Sequence, residues 1–212
     1  MSCDKPGPEK EHRTFKAPFI STSGMVEAVN ATLMMWDDIE GISDLDAVKR
    51  SPLRPVLYEV WMLGEAEKLL LERRTPPQPA AELVVFNALL ESFLIHVRSL
   101  ADFLSDRKTP YDTDLAALQF VADKDQWKRT GERRACKFAK KHKRPISKWV
   151  AHLTEQRQEQ PDKEWEILGI SRDMEKLLTL FEEASEGELL PDELRALRAS
   201  LQPLRDCHIA DG

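Results

Sequence analysis

Glycine is scarce in this chain, at 8 of 212 residues, and none falls in a GxGxxG or GxxxxGK[ST] run. A Gly-rich phosphate cradle is therefore excluded. Cysteine is scarcer still. Cys3, Cys136 and Cys207 lie far apart with no C-x-x-C spacing, which leaves neither a disulfide framework nor a cysteine zinc site and suits a reducing compartment. HExxH and GxSxG are missing as well, and with them the usual zinc-peptidase and serine-hydrolase signatures. Carboxylates do not recur at the E-x-x-H spacing of a di-iron bundle, so no metal and no cofactor is expected. Val and Ile together number 18 against 27 Leu. Straight-chain residues lose little rotamer freedom in a helix, so a chain poor in Gly and β-branched residues reads as all-α.

A long uninterrupted apolar run is also lacking. The stretch from Leu83 to Leu104 is broken by Asn87, Glu91, His96, Arg98 and Asp102, and reads as a core helix rather than a membrane span. The start, MSCDKPGPEKEHR, has no apolar h-region, so the expectation is a cytoplasmic protein with no membrane association.

What is present is helical periodicity. Residues 1–20, with three prolines among mixed charges, read as a disordered arm. Residues 21–202 read as one helical bundle of five to seven helices, and 203–212 as a tail. Met25, Val29 and Trp36 give a first helix ending at Gly41. A second runs from about Pro55 to Arg73, where the prolines at 76, 77 and 79 stop it. The most apolar segment, about 79–104, is expected to thread the middle of the bundle, and residues 105–113 form a loop. A short helix near 114–122 and a basic helix near 123–142 follow, with Pro145 restarting the chain. Ile146, Trp149, Val150 and Leu153 then mark an amphipathic helix. Two more run from about Lys163 to Ala184 and from Pro191, the last decaying after Pro203.

Polar residues in apolar surroundings are the candidates for chemistry. At about 100° per residue, Asn87, Glu91, Arg98 and Asp102 fall within about 60° of one another on the central helix. Arg157 lands on the apolar face of the 146–157 helix, where a carboxylate from Glu91, Asp102 or Glu67 could meet it. Glu91, Arg98, Asp102 and Arg157 thus form a candidate polar network that fixes helix register. His96 lies on another face of the central helix, between apolar neighbours and Ser92 and Ser99. It reads either as a packed core histidine or as an acid, base or ligand.

The largest asymmetry is electrostatic. From Lys124 to Lys148 there are eleven Lys or Arg and two acids, so this segment carries +9 while the chain as a whole carries −6, leaving −15 on the other 187 residues. Arg133, Arg134, Lys137, Lys140, Lys141, Lys143 and Arg144 are its centre, with Trp127, Phe138 and Trp149 interleaved. Such a segment could track RNA or DNA phosphates and stack bases. It could equally meet an acidic protein surface, or dock on the stretch 155–193, which holds thirteen Asp or Glu and four Lys or Arg.

Two phrases occur together: ALLESFLIHVRSLADFL at 88–104, with Glu91, His96, Arg98, Leu100, Asp102 and Phe103, and ISKWVAHLTEQR at 146–157, with Lys148, His152, Leu153, Thr154 and Arg157. The pairing resembles a group of uncharacterised, mostly bacterial, all-helical proteins that share an E-x4-H-x-R-x-L-x-D-F helix. In that group a K-x3-H-L-T-x2-R helix and a downstream tryptophan, here Trp165, follow. The resemblance spans about 80–100 residues of the middle of the chain and implies a fold without an activity. A helical bundle with His and Arg on facing helices is more distantly similar to the HEPN superfamily, which includes metal-independent ribonucleases of toxin and antiphage type. That resemblance implies His96 or His152 as the proton-transfer group and Arg98 or Arg157 as the phosphorane-stabilising group, in some cases across a homodimer. The R-x4–6-H hallmark is missing here, and Arg157 follows His152 in the reversed order. The readings are thus a non-catalytic binding protein, a HEPN-like ribonuclease, or a structural or regulatory subunit.

Overall fold

The computed structural model describes residues 42–72, 80–105, 114–150 and 165–209. The expected N-terminal arm, the helix at 25–39, the proline stop at 75–79 and His152 to Arg157 lie outside the described residues. Every regular element among the described residues is helical, as the composition predicts. α1 is Leu45–Arg50, α2 Arg54–Glu72 and α3 Ala80–Leu104. A 3₁₀ turn, Ala117–Gln119, stands in place of the short helix expected near 114–122.

A single basic rod follows. It comprises α4 Lys124–Trp127, a π-turn Lys128–Glu132, α5 Arg133–Phe138, a second π-turn Ala139–Lys143, and α6 Arg144–Trp149. The residues at the four junctions, Lys128, Arg133, Ala139 and Arg144, are all right-handed helical, so the rod is unbroken. Pro145 does not restart the chain as expected. It sits inside the continuous rod, just past the second π-turn, and forgoes one backbone hydrogen bond. α7 is Ile167–Ser185 and α8 Pro191–Ile209.

α2 packs against both α3 and α8, and α7 against α8. The rod lies across α3 and α7. The core runs through all five, with Leu57, Leu63, Phe93, Leu100, Leu104, Trp127, Ile146, Met174, Phe181 and Leu201 essentially without exposure. Each such side chain contributes about 1.5–3 kcal/mol by burial. Phe181 is its hub, meeting Phe103 edge-on at 5.1 Å and Trp127 edge-on at 5.9 Å.

α8 overrides the expected tail at 203–212, because the helix continues through Pro203 to Ile209. Proline there forgoes one backbone hydrogen bond. Packing compensates: a Cβ on Gly64 of α2 would sit 2.9 Å from Pro203 Cβ and 3.0 Å from Leu204 N, so the bare glycine admits the proline ring. Leu201 and Leu204 on either side are fully buried.

The stretch Glu82–Leu104 of α3 is long and apolar enough to cross a membrane by length and composition alone. Within the bundle, its second half supplies Phe93, Leu94, Val97, Leu100, Ala101 and Leu104 to the core, as expected of a central helix. Leu83, Val84, Val85 and Ile95 are exposed.

Candidate nucleic-acid interface

Asp123 opens the rod by accepting the Gln126 N–H at 2.8 Å, the side-chain cap that a helix start favours. Buried residues then recur mostly four apart: Trp127, Gly131, Ala135, Phe138, Ala139, His142 and Ile146. A strict α-helix turns in 3.6 residues, so a spacing of four would walk the stripe around the surface. The two π-turns close i→i+5 bonds and hold more residues per turn, which keeps the stripe against α3 and α7.

Three polar contacts lock this seating. Lys141 Nζ reaches Asp173 Oδ2 at 2.9 Å, His142 Nε2 reaches the same oxygen at 3.0 Å, and Lys143 pairs with Asp102 of α3. Burial alone would push the Asp173 carboxyl up, but hydrogen bonds from Lys141 and His142 hold it below its ordinary value. Cys136 Sγ lies 3.9 Å from the Ser105 carbonyl, and the Phe138 ring packs 4.7 Å from that of His142.

The opposite face of the rod is solvent. Lys124, Lys128, Arg129, Arg133, Arg134, Lys137, Lys140 and Arg144 are all exposed. None of the eight forms an ion pair among the described residues, whereas Lys141, itself exposed, and the half-buried Lys143 are each paired with a carboxylate of a neighbouring helix. Of the seven basic residues singled out from sequence, five therefore face solvent freely, and Lys141 and Lys143 serve the fold. The interleaved aromatics do not accompany the cations. Trp127 is 1% exposed and Phe138 5%, so both are core.

The other candidates fall elsewhere. His96 is buried, its Nδ1 2.8 Å from Glu59 Oε2 and its ring edge-on to Tyr58 at 6.1 Å. Arg98, two residues on, is partly buried and makes no ion pair among the described residues. Asp102 is held by Lys143, not by a neighbour on its own helix, and Glu91 is exposed. Arg157, the fourth member of the expected network, lies outside the described residues, as does His152.

One constellation had no sequence signal beyond Glu67 on a buried helix face. The Glu67 carboxylate has no exposure. It accepts the Ser171 hydroxyl at 2.5 Å. His208 Nε2 lies 3.2 Å from Ser171 Oγ and 3.4 Å from Glu67 Oε1, and His208 Nδ1 lies 3.4 Å from Glu175 Oε2. A serine, histidine and carboxylate in a row invite comparison with a nucleophilic triad. The proton placement argues otherwise. Ser171 is fully buried and gives its hydrogen to Glu67, which removes it as a nucleophile toward any substrate arriving from solvent. Burial pushes the Glu67 carboxyl up, with the Ser171 hydrogen bond and the nearby His208 and Arg172 opposing it. Burial and the Glu67 charge also push the neighbouring Cys207 thiol up to about 11, so it is not a reactive thiolate. Among the described residues, no group of three or more His, Cys, Asp or Glu side chains could hold a metal.

No family model, curated protein or solved structure matches this chain.

Proposed function

We propose that this protein is a non-catalytic, cytoplasmic nucleic-acid-binding protein, and that the solvent face of the rod 124–149 is its phosphate contact. The observation that carries this reading is the sorting of cations on the rod. Two are paired with carboxylates of α3 and α7, while eight stand exposed without a partner among the described residues. Uncompensated like charges lined up on a rigid surface repel one another, and that strain is relieved by a polyanion. A plain solvated face, by contrast, usually interleaves both signs, as the α8 face does where Arg198 bridges Glu182 and Glu186 and Arg205 also meets Glu182. The ribonuclease reading has less support at His96, which is occupied by Glu59 beside an Arg98 without an ion pair among the described residues; its other pair, His152 and Arg157, lies outside the described residues.

The test is fluorescence anisotropy of a labelled nucleic acid across about 50 to 300 mM salt. Eight cations set the upper limit on released counterions, so log K against log salt should fall with a slope no steeper than about −7 on duplex DNA. Changing Arg133, Arg134, Lys137, Lys140 and Arg144 to Gln should flatten that slope by about 4.5. No binding at the lowest salt would overturn the proposal.

A further inference from the structure

The rod restricts which nucleic acid it can hold, and the restriction rests on the binding reading above. Single strands are usually held in a concave groove whose exposed aromatics stack successive bases. Here the geometry is the reverse. The contact surface is the outer, convex half of a helix, and the two aromatics whose side chains are described within it point into the core. Trp127 could not turn outward without vacating its place against Phe181 and against Gly131, whose missing Cβ makes room for the indole.

The rod instead presents a continuous ridge of charge. Its 26 residues would span about 39 Å at the α-helical 1.5 Å per residue and less with ten of them in π-turns, comparable with one turn of B-form DNA at about 34 Å. Adjacent cations such as Lys128 with Arg129 and Arg133 with Arg134 leave a helix about 100° apart, so the charge occupies both flanks of the ridge rather than one line. A helix is about 10–12 Å across with its side chains, and the B-form major groove is about 12 Å wide, whereas the A-form major groove is too narrow and deep to enter. The seating by Asp102 and Asp173 holds the ridge against the bundle. The acidic remainder of the chain repels any phosphate that strays off it.

We infer that the ligand is double-stranded B-form DNA, gripped through phosphates on both rims of its major groove, independently of sequence and without base stacking.

The experiment uses the full chain and three fluorescein-labelled probes of one sequence: a DNA duplex of about 24 base pairs, one of its strands alone, and the matching RNA duplex. The length covers the rod about twice over at 3.4 Å per pair. At about 100 mM salt the DNA duplex should bind roughly tenfold tighter than either other probe. A scrambled duplex should bind within about threefold of the first, as phosphate contacts carry no sequence information. The variant with Gln at 133, 134, 137, 140 and 144, confirmed as folded by circular dichroism, should lose duplex binding. A single strand or RNA duplex bound as tightly as the DNA duplex would overturn the inference while leaving the nucleic-acid reading intact. No binding by any probe would overturn both.

Discussion

Replacing Glu67 with Leu tests whether the buried constellation between α2, α7 and α8 holds the bundle together. The substitution removes the carboxylate that accepts the Ser171 hydroxyl at 2.5 Å, at a site where both residues have no exposure. It also removes the group facing His208 Nε2 at 3.4 Å. A buried donor that loses its acceptor costs about 1–3 kcal/mol, and the longer Ser171 Oγ to His208 Nε2 contact at 3.2 Å recovers part of it. Removing a buried carboxylate returns some of that, so the expected net loss is about 2–3 kcal/mol. For a chain of this size that lowers Tm by roughly 4–12 °C. Urea unfolding followed by circular dichroism should show a lower midpoint at unchanged slope. Removing the partners as well, in Glu67→Leu/Ser171→Ala/His208→Leu, should recover most of the loss, because a fully apolar replacement leaves nothing unsatisfied. A single Leu variant as stable as the parent would refute the reasoning.

The same carboxylate predicts a pH dependence, and its sign runs opposite to that of a salt-bridged acid. Burial raises the Glu67 carboxyl above its ordinary 4.5, so the folded chain holds this proton more tightly than the unfolded chain. Its contribution is fully present below about pH 4.5 and is lost as pH climbs through the raised folded value. Burial opposes the ionised form, and the Ser171 hydroxyl and His208 offset it only in part. The stability of the parent minus that of Glu67→Gln should therefore decrease as pH rises above about 4.5. A difference that is flat, or that grows with pH, would show the carboxylate is not desolvated as described.

Gly131→Ala should destabilise the fold by about 1–3 kcal/mol, since its Cβ would lie 2.6 Å from Trp127 Cδ2 and closer still to Cε3 and Cζ3; thermal melts check this, and an unchanged Tm would mean that Trp127 can move freely. Asp192→Asn should flatten the acid limb of the stability curve: hydrogen bonds from the Ser43 hydroxyl and the Asp44 and Ser43 N–H groups hold this carboxyl down to about 2, so its contribution is present above the ordinary 3.8 and is lost as pH falls toward 2. Equal acid midpoints for the parent and the Asn variant would rule that contribution out.

The sequence makes the helices legible and their partners illegible, for a physical reason visible at particular residues. α2 and α3 are bounded by proline and by an apolar stripe, both local signals, and the structure places them within a residue or two of expectation. Ser171 meets Glu67 across 104 positions of chain, and Lys143 meets Asp102 across 41; nothing local encodes either pairing. Arg98 stands four residues before Asp102, but such an i,i+4 pair is worth only a few tenths of a kcal/mol, too little to outweigh docking of the rod. The aromatics of the rod were legible and misread. Trp127, Gly131, Ala135 and Ile146 share the spacing of a buried stripe, and that periodicity outranks the mere interleaving of aromatic and basic residues. Pro203 was misread because its effect depends on Gly64, on another helix.

The pairing of Lys141 and Lys143 with carboxylates of α7 and α3 is what distinguishes this basic segment from a basic tail. A flexible cationic tail must be ordered as it binds, at about 1–2 kcal/mol per residue for the backbone alone, and that cost is set against its phosphate contacts. The rod is already ordered, with Trp127 buried near one end, Ile146 near the other, and Asp102 and Asp173 gripping the turn between them. The eight outer cations then lose only side-chain freedom on binding, so a larger share of their electrostatic attraction appears as affinity. Weakening the grip should accordingly weaken binding at a distance. Asp102→Asn and Asp173→Asn each add positive charge to the protein by removing an acid, so simple charge counting predicts tighter binding. A loss of affinity in a still-folded Asp102→Asn/Asp173→Asn variant, measured on the same DNA duplex, would show that the rod acts through its rigidity. A gain would reduce it to its net charge.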